Sequence, residues 1–333
     1  MKFETIKLDV PGATESNPLD LAQTVLDGMS KTPKSLPSWI LFDDHGGKLF
    51  NKITGLKNYP PAASELEIIE NHSDAFADLP FGNGLQLIEL GAGDGKKAII
   101  LLKSLLRKGR SAHYVPIDIT EGAIRTLISD VAEKFQGTGL TAKGLIGDFF
   151  QGLDAVAEKS GRRNLVLFLG ATLGNMDYNS MKEFLSRLQR NVNAGDYVVI
   201  GFDLMKHPKL LYDAYNDSQG YFEEFNLYML DRINNALGAN FKKENFVQQA
   251  QYNKDTRSME SYLFSLCDQS VYIPALEKEF QFKAWETLQT ERSYKYSESE
   301  IDSLAEQSGF ATIERLYDSQ KQYVMPIWQA IKP

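Results

Sequence analysis

Between Leu85 and Phe202 five short apolar runs, LQLIEL, HYVPID, TAKGLIGD, NLVLFLG and DYVVIGF, alternate with segments of helix length. Runs that are apolar on both faces are strands buried between helix layers, and strands joined through helices run parallel. The intervening segments carry helical signals of their own. Lys97 to Leu106 sets Ile99, Ile100, Leu102, Leu105 and Leu106 at helical spacing and stops at Gly109. The next helix, after Thr120, puts Ile124, Leu127, Ile128, Val131 and Phe135 on one face. A third is predicted to open with the capping box Ser180-x-x-Glu183 and to bury Phe184, Leu185, Leu188 and Val192. A repeating βα unit predicts right-handed crossovers and a doubly wound sheet.

Another capping box, Ser297-x-x-Glu300, begins a helix that ends at Gly309. ATIERLY and QYVMPIWQAI follow with only a short polar turn between them, so they pair antiparallel. A Rossmann-like α/β sheet finished by a C-terminal antiparallel hairpin resembles the class I methyltransferase fold. Met205 to Tyr294 is too long for an ordinary connection and reads as an inserted lobe, while Pro60-Pro61 and Asn216 to Gly220 interrupt regular structure. The expected division is a cofactor-binding domain of 64–205 and 296–333, with 1–63 and 206–295 forming a smaller substrate-binding lobe.

Leu87 to Gly95 reads LIELGAGDG, a buried strand running into glycines 91, 93 and 95 with a helix behind. Ligands of open α/β sheets bind at the C-terminal ends of strands, where glycine lets them approach the backbone. The dinucleotide fingerprint needs a third glycine after two intervening residues, and position 96 is lysine. Glu89 before the loop would repel a diphosphate but suits a cofactor with cationic character. S-adenosyl-L-methionine carries a sulfonium and an ammonium. Asp118 ends the second run, where ribose hydroxyls donate to a carboxylate. Gly147-Asp148-Phe149 ends the third, offering an acceptor for an adenine amino group and an aromatic wall. Singly, Asp118 reads equally well as a helix cap and Phe149 as core; in order at strand ends, the three sites describe one adenosyl ligand.

The rest of the composition narrows the partners. With 36 basic against 44 acidic residues, the net charge of −8 disfavours nucleic acid and favours a small-molecule substrate. The lone Cys267 rules out an intramolecular disulfide and fits the reducing cytoplasm. No apolar stretch has the length of a signal peptide or a membrane span. His45, His72, His113 and His207 lack ligand spacing, so no metal is expected. A monomer is the expected state.

At this point the chain resembles the histidine Nα-methyltransferases of ergothioneine biosynthesis. The resemblance lies in ELGAGDGKK at 89–97, VPIDIT at 115–120, GDF at 147–149 and FLGATLGN at 168–175. It extends to LFDDHGGKLFNKITGLKNYPPAASE at 41–65, to FDLMKHPKLLYDAYND and to ETLQTERSYKYS, and so covers most of the chain. It implies cofactor contacts at Gly91, Lys97, Asp118, Asp148 and Phe149, alongside the loop residues Glu89 and Gly93. Lys97 would serve the cofactor carboxylate. Asn175, Tyr59 and Tyr215 would hold the amino-acid backbone, with Phe50, Gly170 and Thr172 shaping the pocket. Glu291 and Ser293 would read the imidazole: residues two apart on a strand face the same way, and a serine complements a ring nitrogen as donor or acceptor.

Two positions depart from the family pattern. Phe42 stands where a tyrosine is common, and Ser261 where a methionine lines the ring pocket. The expected reaction is in-line transfer of a methyl group to the neutral α-amine of L-histidine, up to the trimethylated betaine, through positioning and without a covalent enzyme intermediate. The alternatives are methylation of another aromatic amino acid such as tryptophan, and a catalytically silent cofactor-binding protein.

Overall fold

A computed structural model describes residues 2–8, 18–82, 84–156 and 161–331, of which 18–20 are described by their backbone. It divides into two compact units, one holding the described residues of 2–8, 61–205 and 296–331, the other those of 18–60 and 206–295.

The first unit is built on one sheet. Its strand order is Phe3–Lys7, Thr141–Ile146, Ala112–Asp118, Leu85–Leu90, Arg163–Phe168, Tyr197–Ile200, Tyr323–Ala330, Phe310–Tyr317. Neighbours are parallel through Tyr197–Ile200, and the last two strands run antiparallel. This is the doubly wound sheet with a C-terminal hairpin that the apolar runs predict. All six residues of Leu85–Leu90 are buried, which explains their lack of alternation. Helices Lys96–Arg107 and Glu121–Lys134 bury Ile99, Leu102 and Leu105, and Ile124, Leu127, Ile128 and Val131.

Three sequence expectations need correction. Phe3–Lys7 lies within the segment assigned to the substrate lobe, yet it pairs in parallel with Thr141–Ile146 from Phe3 opposite Ala142 to Lys7 opposite Ile146. FETIK is short and half polar because an edge strand buries little, so no pattern marks it. The third helix is Tyr178–Asn191, and its cap is Asp177, whose Oδ1 accepts from Asn179 N and Ser180 N at 2.9 Å. Ser180 instead donates its hydroxyl to Asp177. Pro60-Pro61 does not break structure but opens the helix Pro60–Asp78, where missing N–H groups cost nothing. The box at Ser297 and Glu300 is present as read, capping Glu298–Gln307.

The second unit has a four-stranded sheet ordered Lys34–Ser35, Thr287–Tyr294, Ser258–Ser265, Phe246–Asn253, antiparallel except for the short first strand. A separate hairpin pairs Gln269–Ile273 with Lys278–Phe282. Helix Tyr221–Leu237 buries Phe222, Phe225, Met229, Ile233 and Leu237, one apolar stripe at helical spacing, and stops at Gly238. Helix Asp44–Thr54 starts from Asp43, whose carboxylate accepts from His45 N and Gly46 N and takes the Tyr228 hydroxyl at 2.6 Å.

Candidate active site

In the first unit, the strand ends of Leu85–Leu90, Ala112–Asp118 and Thr141–Ile146 converge through backbone hydrogen bonds. Gly91 N donates to Ile117 O at 2.8 Å and Gly147 N to Asp118 O at 3.0 Å. Gly91, Gly93 and Gly95 all have positive φ, of 70, 53 and 64°. A Cβ on Gly91 would lie 3.3 Å from Phe149 Cε1, so a glycine here keeps the space beside that ring clear. Phe149 itself packs edge-on against Phe168, centroids 5.3 Å apart.

Asp118 is half-buried, and its carboxylate ties the loop: Oδ2 accepts from Gly93 N at 3.0 Å and Oδ1 from Thr120 N at 2.9 Å. Each oxygen retains a further lone-pair site for a ribose hydroxyl. Asp148 caps the helix Phe149–Val156 through Oδ1, which accepts from Phe150 N at 2.8 Å and Gln151 N at 2.9 Å. Its Oδ2 stays out of the cap. Bare glycine Cα atoms, two strand-end carboxylates and an aromatic wall on one loop cluster fit an adenosyl group and its amino-acid tail.

Glu89 is 2% exposed and accepts the Tyr114 hydroxyl from the neighbouring strand. Burial raises its carboxyl to about 7, against the pull of Tyr114 and of the Lys97 ammonium. Tyr114 is pushed well above its ordinary value by the same burial and by Glu89.

Lys97 meets a partner that sequence reading passed over. Its ammonium pairs with Glu65, which is wholly buried. That carboxylate also accepts Gly170 N, at 2.8 and 3.0 Å from its two oxygens, and the Tyr323 hydroxyl at 2.7 Å. Burial works against the Lys97 charge, but Glu65 outweighs it and holds the ammonium's pKa above its usual value. Glu65 thereby anchors the turn after Arg163–Phe168, where Gly170 has φ 80° and Ala171 φ 54°. A left-handed alanine costs about 1–2 kcal/mol, which the anchored turn offsets. The turn delivers the 3₁₀ helix Thr172–Asn175. Thr172 Oγ1 donates to Leu169 O at 2.9 Å, whereas the half-buried Asn175 amide has no hydrogen bond among the described residues. The signal for Glu65 was a carboxylate sharing a helix face with Ile68 and Ile69, three and four residues away.

The second unit gathers the other expected residues. Phe42 packs edge-on to Phe50 at 5.5 Å, Phe50 to Tyr59 at 6.4 Å, and Tyr59 to Tyr215 at 5.9 Å between centroids. On the sheet, Ser261 lies directly across from Glu291 and Met259 from Ser293. Glu291 is 8% exposed, and burial raises its carboxyl to about 7, against the attraction of Lys295. The Ser261 hydroxyl is near enough to lower that value further but outside hydrogen-bonding geometry. Glu291 Oε2 and Ser261 Oγ are therefore buried without hydrogen-bond partners among the described residues. Beside them lies a second overlooked residue: Lys295 is 2% exposed and donates to Ser293 Oγ at 2.7 Å and Tyr215 Oη at 2.9 Å. Its signal was the continued alternation Glu291, Ser293, Lys295.

The profile of the histidine-specific, S-adenosylmethionine-dependent methyltransferases matches residues 21–330. The chain belongs to that family. It is an S-adenosylmethionine-dependent N-methyltransferase. It is 33% identical over 296 residues to the histidine N-alpha-methyltransferase of Mycolicibacterium smegmatis, covering 88% of this chain and 90% of that one. The histidine N-alpha-methyltransferase of Mycobacterium tuberculosis is also 33% identical, over 84% of this chain and 85% of that one. Ergothioneine biosynthesis protein 1 of Schizosaccharomyces pombe is 30% identical over 85% of this methyltransferase, which spans 37% of the yeast protein. Among the described residues no helix is long and apolar enough to cross a membrane, and no group of three or more acidic, histidine or cysteine side chains could hold a metal ion.

Proposed function

We propose that this methyltransferase acts on the α-amine of L-histidine and adds up to three methyl groups, giving the trimethylated betaine of the ergothioneine route. The reading rests chiefly on Glu291, a buried carboxylate whose Oε2 has no hydrogen-bond partner among the described residues, with the Ser293 hydroxyl two residues along on the same strand face. Buried polar groups are nearly always paired, so such a carboxylate favours a polar ligand over an apolar ring. An imidazole N–H supplies the donor that Glu291 lacks, and its second nitrogen accepts from a serine hydroxyl. An indole has no ring acceptor and leaves a hydroxyl unmatched, which weighs against tryptophan. The names of the mycobacterial relatives point the same way.

Bound S-adenosylmethionine supplies an electrophilic methyl group and a thioether leaving group. Gly91, Gly93, Asp118, Asp148 and Phe149 would hold it, with Glu89 and Lys97 setting the charge around the loop. Tyr59 and Tyr215, and separately Asn175, serve as clamps for the substrate backbone rather than as acids or bases. Phe50 in the second unit, and separately Gly170 and Thr172 in the first, would shape the substrate's surroundings, and Phe42 presents no hydroxyl. Holding a neutral amine out of water and in line is the main requirement of such a transfer.

The test is incubation with S-adenosylmethionine and an amino-acid mixture containing histidine and tryptophan, followed by mass spectrometry. Gains of one, two or three methyl groups are expected on histidine, and gains confined to another amino acid would overturn the assignment. Glu291→Ala should remove about 1–3 kcal/mol of the preference for histidine over phenylalanine.

A further inference from the structure

The strand Thr287–Tyr294 carries Glu291 and Ser293 on one face, and the same alternation puts Lys295 there, one residue past the strand end. Arg292 points the other way and is held by Glu260 at 3.1 Å. Lys295 is thus the cation of the Glu291 face, and it is 2% exposed. Its Nζ donates to Ser293 Oγ at 2.7 Å and to Tyr215 Oη at 2.9 Å, and it lies 4.9 Å from the centroid of the Tyr215 ring. An ammonium has three donors and no acceptor. Both hydroxyl oxygens are therefore the acceptors of these bonds, and the adjacent charge turns the Ser293 O–H dipole away from Lys295, leaving that proton for another partner.

We propose that Lys295 is a positioning residue that commits Ser293 to donating, so that the ring read by Ser293 and Glu291 is the neutral imidazole, lone-pair nitrogen toward Ser293 and N–H toward Glu291. The inference rests on histidine being the substrate, and it removes the ambiguity of a serine able to act in either role. An imidazolium would bring a second positive charge, and a second N–H, to a hydroxyl oxygen that already accepts from an ammonium.

The direct experiment uses the wild-type protein saturated with S-adenosylhomocysteine and histidine labelled with nitrogen-15 at both ring positions. Bound ligand should show one pyrrole-type and one pyridine-type resonance. Two protonated nitrogens would overturn the proposal while leaving the substrate reading intact; no bound histidine, with another amino acid methylated, would overturn both. Kinetics give a second arm, comparing histidine with a pyrrolylalanine that keeps the N–H but lacks the ring acceptor. Ser293→Ala should bring the preference for histidine close to unity. Lys295→Met should lower that preference by about fivefold or more, mainly through KM for histidine, and Lys295→Arg, which keeps a donor-only cation, should restore most of it. An equal loss for both substrates in folded, cofactor-binding Lys295→Met would assign the lysine a merely structural role. If that variant does not fold, the spectrum of the wild-type complex decides.

Discussion

Glu65→Ala is the most informative single change in the cofactor-binding unit. It removes one wholly buried carboxylate and strands three donors at once: the Tyr323 hydroxyl, the Gly170 N–H and the Lys97 ammonium. Each buried neutral donor left unpaired costs about 1–3 kcal/mol. Lys97 keeps 28% of its side chain exposed, so water recovers part of its share, as it does in any cavity left by the carboxylate. Removing one partner of a buried ion pair costs roughly 3–5 kcal/mol, and the same range is expected here. Glu65→Gln preserves shape and one acceptor oxygen but turns an amide donor toward the lysine, so about half the loss should remain. Urea denaturation with an unchanged m-value measures the cost, and calorimetric titration with S-adenosylmethionine reports whether the Gly170 turn has shifted. Tyr323→Phe alone should cost about 1 kcal/mol, and adding it to Glu65→Ala should cost almost nothing more. A loss below about 1 kcal/mol for Glu65→Ala, or full additivity with Tyr323→Phe, would refute the idea of a shared hub.

Three further outcomes are expected. Burial raises Glu291 from 4.5 to about 7, so the folded state holds this proton more tightly than the unfolded chain; its contribution is complete below pH about 4.5 and is lost as pH climbs through about 7. Glu291→Gln should flatten the corresponding fall in Tm of the ligand-free protein, and an unchanged slope would show that Glu291 titrates normally. Asp177→Ala should cost about 1 kcal/mol in thermal unfolding and Ser180→Ala less than about 0.5, the reverse of what the Ser180-x-x-Glu183 reading predicts. Gly91→Ala places a Cβ at φ 70° and 3.3 Å from Phe149 Cε1, and should weaken S-adenosylmethionine binding by at least about tenfold in calorimetry.

The doubly wound sheet was legible because its strands are buried on both faces and its helices carry an apolar stripe; these are long, local patterns. Phe3–Lys7 was not, since an edge strand buries one face partially and FETIK has no periodicity to read. Ser180 misled because a capping box needs only two residue types at a fixed spacing, and Asp177 satisfied the helix one turn earlier. At the site, the glycine loop, Asp118, Asp148 and Phe149 were visible as types at strand ends. Glu65 and Lys295 were not singled out, because each acts through partners distant in sequence: Tyr323 and Gly170 for one, Tyr215 for the other. A buried charge in a charged chain has no local signature; its meaning is set by what the fold brings to it.

The pairing of Lys34 with Leu288 has a consequence for how the protein is made. The sheet that carries Glu291, Ser293 and Lys295 takes its short parallel strand from the beginning of the chain and its central strands from near the end. During synthesis the early segment must wait, unpaired, until almost the whole polypeptide has emerged, whereas strands 85–90 to 197–200 can associate as they leave the ribosome. That sheet therefore closes only after the parallel strands of the first unit have emerged, and a chain interrupted before Thr287 would lack the strand that carries Glu291 and Ser293.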